Sequence, residues 1–251
     1  MALVEWAIIH MCEPLNGVKM KDRSYIVATT KVWNIQTYND VIRHYPGKWH
    51  LISRSTDLTV HKIRSIKPKY IFFPHWSNIV SDEILDIATC ICFHETDLPF
   101  GRGGSPIQNL IVDGHKETLI SALRMSKDLD AGPIYLKRKL SLVGLAEEIF
   151  LRSSITVAQM INTIIIDNPK PSKQEGEVST FKRRSPGQSQ ISTNTNLAEL
   201  FDHIRMLDAQ SYPPAFIEVD GFRYEFTRPA LKTDAILADV RVTKVAGGSI
   251  D

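Results

Sequence analysis

The chain has 251 residues, 43% of them hydrophobic and 23% charged, which suits a folded globular chain and excludes wholesale disorder or a fibrous repeat. Lys+Arg 30 against Asp+Glu 28 leaves a net charge of +2, a weak basic excess that weighs against a nucleic-acid partner. No uninterrupted run approaches the roughly 18 apolar residues of a membrane span. The opening residues lack the basic and apolar regions of a signal peptide. The three cysteines, Cys12, Cys90 and Cys92, make no disulfide framework and read as a reducing, cytoplasmic compartment.

Taken in chain order, Val4 to Met11 is an ambiguous helical segment. Ser24 to Thr30, rich in β-branched and aromatic residues, predicts a strand. Thr37 to Tyr45 predicts a helix stopped by Pro46-Gly47. Strands at Trp49 to Ser53, Tyr70 to Pro74 and Thr89 to His94 alternate with helices at Thr59 to Ile66 and Asp82 to Ile87. That alternation implies right-handed crossovers and a mostly parallel sheet. Neither a G-x-G-x-x-G turn nor a Walker A loop is present, so dinucleotide and P-loop chemistry have no support. A glycine-rich loop, Leu98 to Pro106, leads into a helix at Pro106 to Val112. Strands at Glu117 to Met125 and Pro133 to Leu142 precede a long helix over Leu145 to Ile166. Polar residues from Pro169 to Thr195 read as a connector. An amphipathic helix at Leu197 to Leu207 and a hairpin turning at Asp220-Gly221 then make a small α+β appendage. The tail from Ala246 reads as frayed. The expected fold is α/β, a Rossmann-like sheet with that appendage, divided as residues 1–168, 169–195 and 196–251.

Ligands of parallel sheets gather at the carboxyl ends of the strands. The fourth strand ends at His94, and Cys90, Cys92 and His94 share one face of it. Three chemistries compete there: a buried structural face, a zinc site and a Cys–His nucleophile pair. The zinc reading lacks further ligands, since neighbours on one strand do not close a tetrahedron. His94 closes the strand and can face a cleft, with Asp128 or Asp130 as its orienting carboxylate. Asp130 equally suits a turn or a cap.

His94-Glu-Thr-Asp-Leu-Pro99, Arg102-Gly103 with Pro106-Ile107-Gln108, and Leu129-Asp130-Ala-Gly-Pro-Ile134 together resemble the formyltransferase family that uses 10-formyltetrahydrofolate. Phe73 to Leu85, Ala146 to Phe150, Gln174-Glu-Gly176 and Phe181 to Arg184 extend the resemblance over most of the chain. The resemblance implies the formyltransferase fold and an N-formyltransferase with 10-formyltetrahydrofolate as co-substrate. It implies His94 as oxyanion donor and Asp130 as the group that orients it, with no metal. Cys92 stands where the family has an asparagine, so the usual second donor is replaced by a weak one. Folate is expected between Trp76, Asn78, Ile79 and Val80 on one side and Met125, Ser126 and Asp128 on the other. Arg102, Gly103 and Gly104 are expected to meet the acceptor. The short C-terminal part and the small net charge favour a nucleotide-linked amino sugar, such as a CMP-linked pseudaminic-type sugar, over nucleic acid. Methionyl-tRNA formylation and formyltetrahydrofolate hydrolysis are the alternatives within enzymes. A folate-binding protein without turnover is the alternative outside them. Homo-oligomerisation is left open.

Overall fold

The computed structural model describes residues 22–191 and 196–245. The Val4 to Met11 segment, Cys12 and the tail from Ala246 lie outside the described residues.

A six-stranded sheet forms the centre, in the order β2-β1-β3-β4-β6-β7. Its strands are β1 (Ser24–Ala28), β2 (Lys48–Ile52), β3 (Tyr70–Pro74), β4 (Thr89–His94), β6 (Glu117–Arg124) and β7 (Ile134–Ser141). The first four are parallel, and β6 and β7 pair antiparallel to what precedes them. Helices α1 (Val32–Asp40), α2 (Val60–Ile66) and α3 (Asp82–Ile87) cross between the parallel strands. Strand order reverses at β1, which has β2 on one side and β3 on the other. A crevice therefore opens at the carboxyl ends of β1 and β3, where ligands of such sheets bind. The Asn34 amide spans it, donating to Thr29 Oγ1 and to the Pro74 carbonyl, each at 3.4 Å.

The parallel strands are apolar on both faces because helices cover both. Tyr25, Val27, Phe72, Ile91 and Phe93 pack on one side, Ile26, Ile71, Phe73 and Cys90 on the other. The first of these cores is closed by α5 (Ala146–Asp167), which buries Ile149, Phe150, Val157, Ile161 and Ile164. The Glu148 carboxylate caps its start by accepting the Leu145 N–H at 2.8 Å. Asn168 ends the helix in the left-handed region, and its Oδ1 accepts the Tyr70 hydroxyl at 2.8 Å. Helix α5 holds no uninterrupted run of 18 apolar residues; by length and a mean hydropathy of 1.5 it is long and apolar enough to cross a membrane, but 56% of that window is buried within the fold.

Beyond α5, the connector is more ordered than its composition suggests. β8 (Thr180–Phe181) pairs in parallel with β5 (Arg102–Gly103) inside the glycine-rich loop. The loop then enters α4 (Pro106–Val112), with Pro106 in the first turn. A short 3-10 turn at Pro186–Ser189 leads toward α6 (Leu197–Arg205), whose start is capped by Asn196 accepting the Glu199 N–H. Arg205, only 2% exposed, donates to the carbonyls of Leu142 and Gly144 at 2.7 and 2.8 Å and pairs with Asp202. That guanidinium fastens α6 to the turn between β7 and α5.

The C-terminal sheet has three strands, not the two of the expected hairpin: β9 (Ala215–Val219), β10 (Phe222–Leu231) and β11 (Ile236–Lys244). Asp220 and Gly221 both take positive φ, 50° and 77°, as a type I′ turn requires. Strand β11 was missed although Val240-Arg241-Val242 alternates as a strand should. Helix α1 begins five residues before the expected Thr37, since Lys31 gives no side-chain cap to mark its start.

Candidate active site

Three adjacent strand ends deliver Lys31, His75 and His94 to one rim, following β1, β3 and β4 respectively. Beneath them runs a cleft of about 910 Å³. One arm is walled by Trp76 to Val80 and by Met125, Ser126 and Leu129. Cys92, His94, Asp130, Gly103 and Gly104 also line it. The other arm is walled by Lys31, His75, Glu95, Phe150, Arg183 and Tyr212 among others.

His94 is 6% exposed, and its two ring nitrogens face different partners. Nε2 lies 2.8 Å from the Gly101 carbonyl, which can only accept, so Nε2 carries the hydrogen. Nδ1 faces Asp130 Oδ2 at 3.7 Å, an electrostatic contact longer than a hydrogen bond. The same Oδ2 accepts the Gly103 N–H at 2.9 Å. Asp130 itself takes φ 51°, a conformation Asp tolerates better than most residues. Gln174 holds it there, its Nε2 donating to the Asp130 and Gly132 carbonyls at 2.7 and 2.8 Å. The glycine-rich loop thus fixes His94 and Asp130 through backbone groups at Gly101 and Gly103.

Arg102 does not reach the cleft as expected of an acceptor-binding residue. Its Nε and Nη2 both donate to Gln174 Oε1, at 3.2 and 2.7 Å, so the guanidinium braces the loop. Asp128 is exposed and outside the cleft wall, its carbonyl accepting from Ser126 Oγ at 3.0 Å. Because β6 runs antiparallel, Met125 starts beside Cys90, whose carbonyl accepts its N–H at 2.8 Å. Val80 is buried against Phe73 and Ile84, while Ile79 is 98% exposed at the mouth. Trp76 lies edge-on to Phe73, and its buried indole N–H has no partner among the described residues. Asn78 is exposed on the same loop.

Cys90 and Cys92 share a face of β4, but only Cys92 lines the cleft. Burial pushes the Cys90 thiol up to about 12. Burial likewise pushes the Cys92 thiol up, and the Asp130 charge adds to it. Neither thiol is disposed to be a thiolate nucleophile. Cys92→Ser and Cys92→Ala are therefore expected to keep turnover within about 10-fold of the parent, against the 10²–10⁴ of a lost catalytic group. A loss of three orders of magnitude in Cys92→Ser, or a covalent substrate adduct on Cys92 in intact mass, would show covalent catalysis instead.

Sequence reading gave no site role to Lys31, His75, Gln174 or Tyr212. His75 has φ 49° and is enclosed by Trp33, Phe150 and Tyr212, with Nε2 3.1 Å from the Tyr212 hydroxyl. Burial, reinforced by Lys31 and Arg183, pushes its pKa down to about 3, so its imidazole is neutral. Lys31 Nζ donates to Ser211 Oγ at 3.1 Å and lies over the Tyr212 ring. These partners are distant in sequence, and no local pattern marks them.

Residues 34–148 match the formyl transferase family model, and residues 186–243 match the C-terminal domain of methionyl-tRNA formyltransferase. A methionyl-tRNA formyltransferase from Clostridium thermocellum superposes with a TM-score of 0.86 at 45% identity, covering 88% of this chain and 99% of that one. The chain belongs to the formyltransferase family. A methionyl-tRNA formyltransferase from Campylobacter lari is 28% identical over 168 residues, 66% of this chain and 54% of that protein. The chain spans about half the length of the curated relatives it matches. A 4-N formyltransferase from Francisella tularensis shares 13% identity, with a TM-score of 0.61 over 81% of this chain and 94% of that one, and so shares the fold.

These likenesses overturn the expectation of a nucleotide-linked amino sugar of the pseudaminic type. They overturn with it the expectation against a nucleic-acid partner. The physical error was to read whole-chain charge as local charge. A total of +2 conceals Lys31, Arg183 and Arg184, which line one arm of this formyltransferase cleft.

Proposed function

We propose that the protein transfers a formyl group from 10-formyltetrahydrofolate to the amino group of methionyl-tRNA. The observation that carries this reading is one cleft that His94 and Asp130 line together with two groups of wall residues, Phe150 and Tyr212 packed on one core of the sheet and Trp76, Val80 and Met125 on the other. The arm at Trp76 to Val80 suits the donor: it offers apolar walls and the orphaned Trp76 N–H, a group that structures seldom leave unpaired. The arm at Lys31, Arg183 and Arg184 suits an acceptor that carries phosphate.

The donor supplies a formyl carbon already activated as an amide. Attack by the amine places a developing negative charge on the formyl oxygen. In its protonated form His94 donates Nε2–H to Gly101 and has Nδ1–H left for that oxygen. Asp130, held by the Gly103 N–H, keeps the ring oriented. One such preorganised donor contributes about 3–4 kcal/mol to lowering the barrier. Cys92 stands beside this donor and adds little, since a thiol donates weakly.

The test is direct. Purified protein is incubated with 10-formyltetrahydrofolate and methionyl-tRNA, and both tetrahydrofolate release and formylmethionyl-tRNA are followed. Equal yields of the two are expected. Tetrahydrofolate release without any acceptor would instead indicate hydrolysis. Tight folate binding with no release would indicate a binding protein.

A further inference from the structure

Three carboxylates line the cleft: Asp82, Glu95 and Asp130. Asp82 is exposed and pairs with Lys127 at 3.1 Å. Asp130 is occupied by the Gly103 N–H and by His94. Glu95 is different: it is 8% exposed and, among the described residues, no Lys or Arg pairs with it. It follows His94 directly and lies toward the acceptor arm, where Tyr212 feels its charge. The groups facing it are His94 and Cys92 from β4, Asp130 from the loop after β6, Tyr212 from the loop after α6 and the Ser153 hydroxyl from α5. The Glu95 carbonyl accepts from Thr118 Oγ1 at 3.3 Å. A buried carboxylate in a substrate cleft without a cationic partner calls for one from the substrate.

We infer that Glu95 is a further catalytic residue, which binds the ammonium of the acceptor and removes its proton before attack. The inference rests on the function proposed above, whose acceptor is an amine. An ammonium has no lone pair and cannot attack a formyl carbon. One proton passes from the ammonium to Glu95 and on to water. The freed nitrogen then bonds to the formyl carbon, and its second surplus proton goes to the departing folate nitrogen as the old C–N bond breaks. Burial raises the Glu95 carboxyl above its ordinary range, with Asp130 adding to the effect and His94 and Ser153 opposing it. That direction moves a carboxylate toward the proton affinity a general base needs near neutrality.

Glu95→Gln and Glu95→Asp, each first checked by circular dichroism, test this on methionyl-tRNA from about pH 6 to about pH 9. At about pH 6, Glu95→Gln is expected to lose about 100-fold in kcat/KM. The loss should shrink to about 10-fold or less above pH ~8, where an α-amino group is already free. Glu95→Asp should keep the parental pH limb at a lower rate. A second measurement needs no turnover: methionine methyl ester is titrated by NMR at about pH 6, where its ammonium predominates. The parent should bind the ester about 10-fold more tightly than Glu95→Gln, as expected for a lost charge-assisted contact. A loss by the same factor at every pH, a Glu95→Asp profile shifted like that of Gln, or equal ester affinities would overturn the assignment and leave Glu95 structural. A parent protein that does not formylate methionyl-tRNA sinks the functional proposal, while the ester titration still decides Glu95.

Discussion

His94→Ala and Asp130→Ala are each expected to lower kcat by more than about 100-fold while leaving the fold intact, the range for a positioned acid–base group. His94 brings a side-chain N–H to the cleft beside Cys92, which stands in place of a better donor. Asp130 acts on the reaction through His94, 3.7 Å away, and through the Gly103 backbone. Groups that act as a unit are non-additive, so the double variant should be little slower than the slower single one. Stopped assays of tetrahydrofolate release, with thermal melts of each variant, measure this. A near-parental rate in either single variant would make that residue structural.

Gly103→Ala has the second large effect, and it falls on stability as well as rate. Gly103 takes φ +107°, a region that side chains other than glycine rarely adopt. An added Cβ would also lie 2.3 Å from the Phe181 carbonyl oxygen across the β5–β8 ladder. Backbone strain costs about 1–3 kcal/mol and overpacking a similar amount. A destabilisation of about 3 kcal/mol or more is expected from the shift of the urea midpoint. Because the Gly103 N–H holds Asp130, kcat should fall even where the variant is still folded. A midpoint within about 0.5 kcal/mol of the parent would mean that the loop relaxes freely, as surface loops do.

The α/β core was legible because its signals are local. β3, β4, α3 and α4 fall on the residues their sequence patterns predict, each bounded by turn residues or by a proline at a helix start. The β5–β8 ladder was not legible, since two residues of strand carry no periodicity and their partners are some 80 positions apart. Within the site, resemblance singled out His94, Asp130 and Cys92, and the fold brings all three to one cleft. Arg102 failed as a cleft residue for a reason invisible in sequence, the distant Gln174 that takes its guanidinium. His75, Lys31 and Tyr212 were missed because only the adjacency of strand ends and the return of the chain after α6 unites them.

Arg205 gives this arrangement a thermodynamic direction. Its buried guanidinium makes α6 and the turn between β7 and α5 interdependent, since undocking α6 would strand a charge and two carbonyls away from water. The loop that follows α6 carries Ser211, Tyr212 and Pro213 to the acceptor arm, whereas the donor arm is built wholly from earlier residues. Damage transmitted through the C-terminal helix thus has a polarity: it degrades recognition of the amine and spares recognition of the folate. Lesions scattered along α6 would share one kinetic signature despite touching neither substrate.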